Sequence, residues 1–279
     1  MQNTLKNSLA IYDLGIGGLS IIPELRKFLP QIAIHYFCDS EFFVYDSTAG
    51  FSQLQDRCRK AAKSMFEMKS NLVVLATHTM TLTSLDELVH RWIPTEYDSM
   101  GKAVIGVRLS LGQDLFERHW HLRDEIGLFL MSHASIRTGY YQQECLKKGF
   151  NNAIFVPADK LNTAIEFGDS LAIDMALKEI LSPFVSLLDK VKYIVPGSTH
   201  FELIGDRIHK LFDDEVVMVM SAPEIAHNIV KYINKHPEFK VDSGITKYYT
   251  NGPVQAFKDQ IKKYTGEDVE PEQFVVKAG

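Results

Sequence analysis

Three short segments carry side chains able to do chemistry. Asp13-Leu-Gly-Ile-Gly-Gly18 sets a carboxylate before a glycine turn, while Ala76-Thr-His-Thr79 and Gly197-Ser-Thr-His200 each group hydroxyls with an imidazole. Glycines let backbone N–H groups approach a ligand closely. A helix beginning there adds partial positive charge suited to a carboxylate or phosphate. Asp13 could orient an amine or act as a base, although a tight strand-to-helix turn with no ligand uses the same residues. The segment is not a dinucleotide fingerprint, because the third glycine falls at the wrong spacing and no acidic residue ends the next strand in the usual place. Ser198 beside His200 invites a nucleophile-and-base reading, but the Gly-x-Ser-x-Gly elbow of a hydrolase is missing. His78, His200 and Asp13 have no recognised ligand spacing, so no metal is expected. Thr and Ser are also favoured helix caps, and capping alone would account for some of these hydroxyls.

Short apolar runs alternate with helical patterns and must position those segments. Strands are expected at Leu9 to Tyr12, Ile32 to Phe37, Leu72 to Leu75, Val104 to Val107, Ile126 to Met131, Ala153 to Val156, Tyr193 to Val195 and Val216 to Met220. Most lack polar alternation, as parallel strands covered on both faces do. Leu19, Ile22, Leu25 and Leu29 mark one face of a helix that stops at Pro30. The pattern predicts an α/β protein with open sheets rather than a barrel, because the spacing of its units is unequal. Leu72-Val-Val-Leu-Ala-Thr-His-Thr79 and Tyr193-Ile-Val-Pro-Gly-Ser-Thr-His200 echo each other. Each is a strand, a bend, hydroxyl and imidazole groups, then a helix. Ligands in open α/β sheets sit at the carboxyl ends of strands, so two similar lobes with a cleft between them are expected. The expected division gives residues 1–101 and 220–279 to lobe one and 102–219 to lobe two.

The chain has 279 residues and a formal net charge of -5. No block of Lys or Arg is present to neutralise phosphates, which disfavours a nucleic-acid partner. No apolar run approaches the roughly 20 residues that span a bilayer, and the start lacks a secretory pattern, so a cytoplasmic protein without membrane contact is expected. Cys38, Cys58 and Cys145 are an odd, sparse set, neither a disulfide framework nor a zinc site. Cys58 and Cys145 fall in helical patterns and read as packing residues.

The motifs, taken in order, resemble those of glutamate racemases in the aspartate/glutamate racemase superfamily. Asp13-Leu-Gly-Ile-Gly-Gly18-Leu-Ser resembles the family's Asp-Ser-Gly-Ile/Val-Gly-Gly-Leu opening. His35-Tyr-Phe-Cys-Asp39-Ser looks like its Tyr-Phe-Gly/Ala-Asp-Thr strand end, and Tyr45 stands where the family has Pro-Tyr-Gly. Val73-Val-Leu-Ala-Thr-His-Thr79 is similar to the strand carrying Ala-Cys-Asn-Thr, and Ile136-Arg-Thr-Gly139 to Ile-Arg-Ser-Gly. Pro196-Gly-Ser-Thr-His200-Phe is similar to Gly-Cys-Thr-His-Tyr. Ser221-Ala-Pro-Glu-Ile-Ala226 and Tyr248-Tyr-Thr-Asn-Gly252 resemble the closing segments. The resemblance runs from residue 8 to about 275. It implies a cofactor-independent enzyme of two α/β lobes with the site between them, commonly a homodimer, acting on a small amino acid.

The departures from the family fall where its chemistry lies. Thr77 and Ser198 stand at the family's two cysteine positions, His78 at its asparagine, Leu14 at its first-motif serine, and Val44-Tyr45-Asp46 at its substrate loop. Asp13, Thr79, Thr199 and His200 are retained. In the family one thiolate removes the α-proton of glutamate and the other thiol returns a proton to the opposite face. A free thiol has a pKa of about 8.5, and a hydroxyl is a far weaker acid. Each unit of lost pKa matching costs about 1.4 kcal/mol, which makes racemisation on two hydroxyls uncompetitive. The resemblance therefore implies a protein that binds a small amino or dicarboxylic acid through Asp13, Leu14, Val44, Tyr45, Asp46, Thr79 and Thr199, without two-cysteine racemase activity and without a cofactor. An active isomerase or lyase using Asp13, His78 or His200 is the alternative. His78 adds bulk and possible positive charge there. Cys38, beside Asp39 at a neighbouring strand end, reads as a small core residue.

Overall fold

A computed structural model describes residues 8–42, 50–98, 100–108, 112–167 and 169–277. The chain divides into two compact units. The first takes the described residues up to 108 together with 223–277, and the second takes those from 112 to 222.

The first unit is built on a parallel sheet. Its strands among the described residues are β1 (Leu9–Asp13), β2 (Ile34–Cys38), β3 (Leu72–Leu75), β4 (Ala103–Gly106), β9 (Thr246–Thr250) and β10 (Glu272–Gln273), in the order β10-β9-β2-β1-β3-β4. Every residue of β1, β2 and β3 is buried, as their unbroken apolar runs lead one to expect. One face packs Ala10, Tyr12, Phe37, Val73 and Leu75 against Leu54, Cys58, Ala61 and Met65 of the helix Phe51–Glu67. On the other, Tyr36 and Tyr248 meet the ring of Phe257 from the helix Val254–Thr265. Each large side chain so buried contributes roughly 1.5–3 kcal/mol. The face marked by Leu19, Ile22 and Leu25 is buried, but it is divided between a 3-10 turn, Gly17–Ser20, and the helix Ile21–Phe28.

The second unit holds a smaller parallel sheet, with β5 (Ile126–Met131), β6 (Ala153–Pro157), β7 (Val191–Gly197) and β8 (Val217–Met218) in the order β6-β5-β7-β8. Gly127 gives Tyr193 its place. A Cβ there would lie 2.0 Å from the tyrosine ring, and Tyr193 in turn meets Phe129 and Phe150 edge-on.

Several boundaries differ from the sequence expectation. β4, which the expected division gave to lobe two, pairs residue for residue with β3 in the first sheet. β8 forms over two residues only, because most of Val216 to Met220 finds no ladder partner beyond Tyr193 and Ile194. β9 and β10 were not expected. Thr246-Lys-Tyr-Tyr-Thr250 is too polar to read as a buried strand, and it forms because β2 offers it a complete parallel ladder. No helix among the described residues is long and apolar enough to cross a membrane.

Candidate functional site

In both sheets the strand order reverses at one place. β1 lies between β2 and β3, and β5 lies between β6 and β7. Connections leave in opposite directions there, which opens a crevice at the carboxyl ends of the strands. The chain delivers its hydroxyl segments to those two places.

In the first unit β1 ends at Asp13, which is fully buried. Its Oδ1 accepts a 2.5 Å hydrogen bond from the Thr77 hydroxyl. Its Oδ2 accepts the backbone N–H of Gly18 and, at 3.4 Å, the Tyr36 hydroxyl. Tyr36 donates more closely to the Gly15 carbonyl, at 2.7 Å, pinning the glycine turn. The turn therefore wraps the protein's own carboxylate, and the Gly18 N–H serves Asp13 rather than pointing at a ligand. Gly18 is required by space: a Cβ there would lie 2.9 Å from both the Ala76 Cβ and Asp13 Oδ2.

Thr77 precedes the helix His78–Glu87 in the N-cap position but makes no side-chain cap bond, because its hydroxyl is turned to Asp13. His78 is buried, and burial pushes its imidazole down to about 4, only partly opposed by a hydrogen bond with the Val107 backbone. It is therefore neutral near pH 7, and the positive charge considered for it from sequence is not carried there. Thr79 is buried on the same turn. Leu14 is fully buried in the apolar core, and Val44, Tyr45 and Asp46 lie outside the described residues.

A second buried carboxylate braces this end of the sheet. Asp39 accepts from Arg57 Nε at 2.6 Å and Nη2 at 2.7 Å, from Tyr12 at 2.5 Å and from Asn251 at 2.5 Å. Its backbone N–H donates to the Asp13 carbonyl at 2.8 Å. Burial and the Asp39 charge push the Tyr12 phenol well above its ordinary value, so it remains a donor.

In the second unit Ser198 follows β7 and caps the four-residue helix Thr199–Glu202 by position only, again without a side-chain cap bond. Its hydroxyl donates to Asn162 Oδ1 at 2.7 Å. The imidazole of His200 lies 2.9 Å through Nε2 from Glu166 Oε2. Both pairs are buried. Asn162 and Glu166 stand one turn apart on the helix Asp159–Glu166, the spacing that puts two side chains on one helix face.

The three cysteines are free and buried. Cys58 and Cys145 are buried and burial pushes both thiols up to about 12. Cys38 is buried at the end of β2, opposite Asp13 in the ladder. Among the described residues no group of three or more His, Cys, Asp and Glu could hold a metal ion.

Sequence reasoning singled out Asp13, Thr77, His78, Thr199, Ser198 and His200 but missed Tyr36, Asn162 and Glu166. The signal for the last two was present. Asn162 and Glu166 interrupt the buried side of a helical pattern with Leu161 and Ile165, and a polar group at a core position is the informative observation.

No family model matches the chain. It is 22% identical over 271 residues to a glutamate racemase from Roseobacter denitrificans, covering 94% of this chain and 98% of that protein. Among solved structures, a glutamate racemase of Francisella tularensis in complex with D-glutamate superposes with a TM-score of 0.73 at 20% identity, covering 98% of both chains. One of Escherichia coli, in complex with L-glutamate and the activator UDP-MurNAc-Ala, gives 0.74 at 19%, covering 95% of this chain and 97% of that one. The chain is thus similar to glutamate racemases along nearly its whole length and has the fold of their solved structures.

Proposed function

We propose that this protein binds a small amino or dicarboxylic acid and does not perform two-thiol racemisation. Thr77 and Ser198 stand where the resemblance puts the family's cysteines. The observation that carries the reading is the direction of their protons. Each hydroxyl donates to a buried acceptor of its own unit, Thr77 to Asp13 and Ser198 to Asn162. A hydroxyl held this way is a poor proton donor to a carbanion, and it is too weak an acid to be the base without costing many kcal/mol of matching. Both oxygens keep lone pairs for accepting from a ligand. Homologues bind glutamate, which sets the class of ligand to try first.

A second reading draws on the same contacts. Asp13 is placed to accept a proton from Thr77, and Glu166 is placed to orient His200, so an isomerase or lyase working through Asp13 or His200 has a geometric basis. His78 is a weaker base than an ordinary imidazole because burial lowers its pKa to about 4.

The test is a thermal-shift panel of L- and D-glutamate, L- and D-aspartate, glutarate and succinate, each followed by NMR for turnover. A stabilised protein with unchanged ligand supports binding without catalysis. No shift across the panel refutes it. Turnover lost in Asp13→Asn or His200→Ala establishes the second reading.

A further inference from the structure

The helix Asp159–Glu166 carries one side chain whose chemistry is only half used. Asn162 is fully buried. Its Oδ1 accepts the Ser198 hydroxyl at 2.7 Å, with the nitrogen edge of the amide turned away from the serine. Its Nδ2, carrying two N–H donors, has no hydrogen-bond partner. A donor left unpaired in the interior loses its hydration with nothing in return, so such groups are normally satisfied by something. Next to Ser198 in the chain, the Thr199 hydroxyl is also buried and also without a partner. Two unsatisfied polar groups therefore flank Ser198, and they do so at the carboxyl end of β7, where the strand order of this sheet reverses. An open α/β sheet places its ligand there.

We propose that Asn162 is a specificity-determining residue that reads an oxygen acceptor of the ligand, a carboxylate, through its Nδ2 amide. This rests on the binding function proposed above and adds the group that selects the ligand. Nδ2 can only donate, so the atom it takes must accept. Ser198 is the positioning partner: its proton holds the amide oxygen and so turns the nitrogen edge away from itself. A hydroxyl is needed at 198 for that bond, and an amide at 162. A site built to pair its buried polar groups with a substrate discriminates strongly against ligands that leave them unpaired.

The experiment measures dissociation constants by calorimetry for L- and D-glutamate, L- and D-aspartate, glutarate and succinate. It compares the unmutated protein with Asn162→Asp and Ser198→Ala. Asn162→Asp preserves shape while replacing the donor by an acceptor, and the expected result is weakening by roughly tenfold or more. Ser198→Ala, which frees the amide to rotate, should weaken binding less. Unchanged affinity in Asn162→Asp overturns the proposal and reduces Asn162 to a core group satisfied by water. Tighter binding also overturns it, because the ligand atom is then a donor. A second measurement avoids any folding defect of the variants: the Asn162 side-chain N–H resonances of the unmutated protein should shift when ligand is added, and resonances that do not move overturn the proposal. If the unmutated protein binds no member of the panel, the binding function itself fails and this assignment with it. If it binds while the Asn162 variant and resonances are indifferent, only the assignment fails.

Discussion

The Thr77 hydroxyl donates its hydrogen to Asp13 Oδ1 across 2.5 Å, although Thr77 occupies a helix N-cap position whose hydroxyls normally turn back to the helix. The bond trades a cap for a buried carboxylate contact. It also ties the end of β3 to the end of β1 where the sheet's strand order reverses.

That bond has a measurable value. Thr77→Val keeps the shape of the side chain and leaves Asp13 Oδ1 with one donor fewer in the interior. Urea unfolding should show a loss on the order of 1–3 kcal/mol, and Thr77→Ser should retain most of the stability. A valine variant as stable as the unmutated protein would contradict the role given to this contact.

Gly18 is constrained by close approach. Its missing Cβ would meet Ala76 Cβ and Asp13 Oδ2 at 2.9 Å and Tyr36 Cε2 at 3.1 Å. Gly18→Ala should destabilise on the order of 1–3 kcal/mol by overpacking and should reduce ligand-dependent stabilisation, since Asp13 has to move. Equal melting temperatures would show that the turn has room the distances deny.

The imidazole of His78 gives a pH dependence of known sign. Its folded pKa is about 4, against an ordinary 6.5, because burial disfavours the charged ring. Between those values the unfolded chain holds a proton that the folded chain does not. Stability is therefore full above the ordinary value, falls as pH falls towards the folded value, and levels off below it. From about pH 7 to about pH 5 the His78 share of the loss is on the order of 2 kcal/mol. His35, lowered to about 4 by burial and by Lys247, adds a parallel share. Chemical denaturation across that range should show a shallower slope in His78→Asn. An unchanged slope would contradict a neutral buried His78.

Much of the fold is legible in the sequence because its central strands are unbroken apolar runs. Leu72–Leu75 and Ile126–Met131 form over the spans expected. The strand Thr246–Thr250 is not legible, because its burial comes from its neighbours rather than from its own polarity pattern. The candidate site was legible where hydroxyl and imidazole side chains sit at strand ends. Asn162 and Glu166 were marked only as polar groups at core positions; which side chains they meet was not legible, because they lie on a helix more than thirty residues before those partners. The direction of each hydroxyl proton, on which the functional reading depends, is a property of those distant partners and appears in no local motif.

The most direct test of binding without thiol chemistry is α-proton exchange in D2O, followed by NMR, with L- and D-glutamate and L- and D-aspartate. The Thr77→Ala/Ser198→Ala double variant, purified identically, accounts for contaminating host racemase. The account predicts no exchange beyond the level of the double variant, alongside ligand-dependent stabilisation of the unmutated protein. Exchange seen only in the unmutated protein would contradict it, and would show that the hydroxyls held by Asp13 and Asn162 are chemically competent.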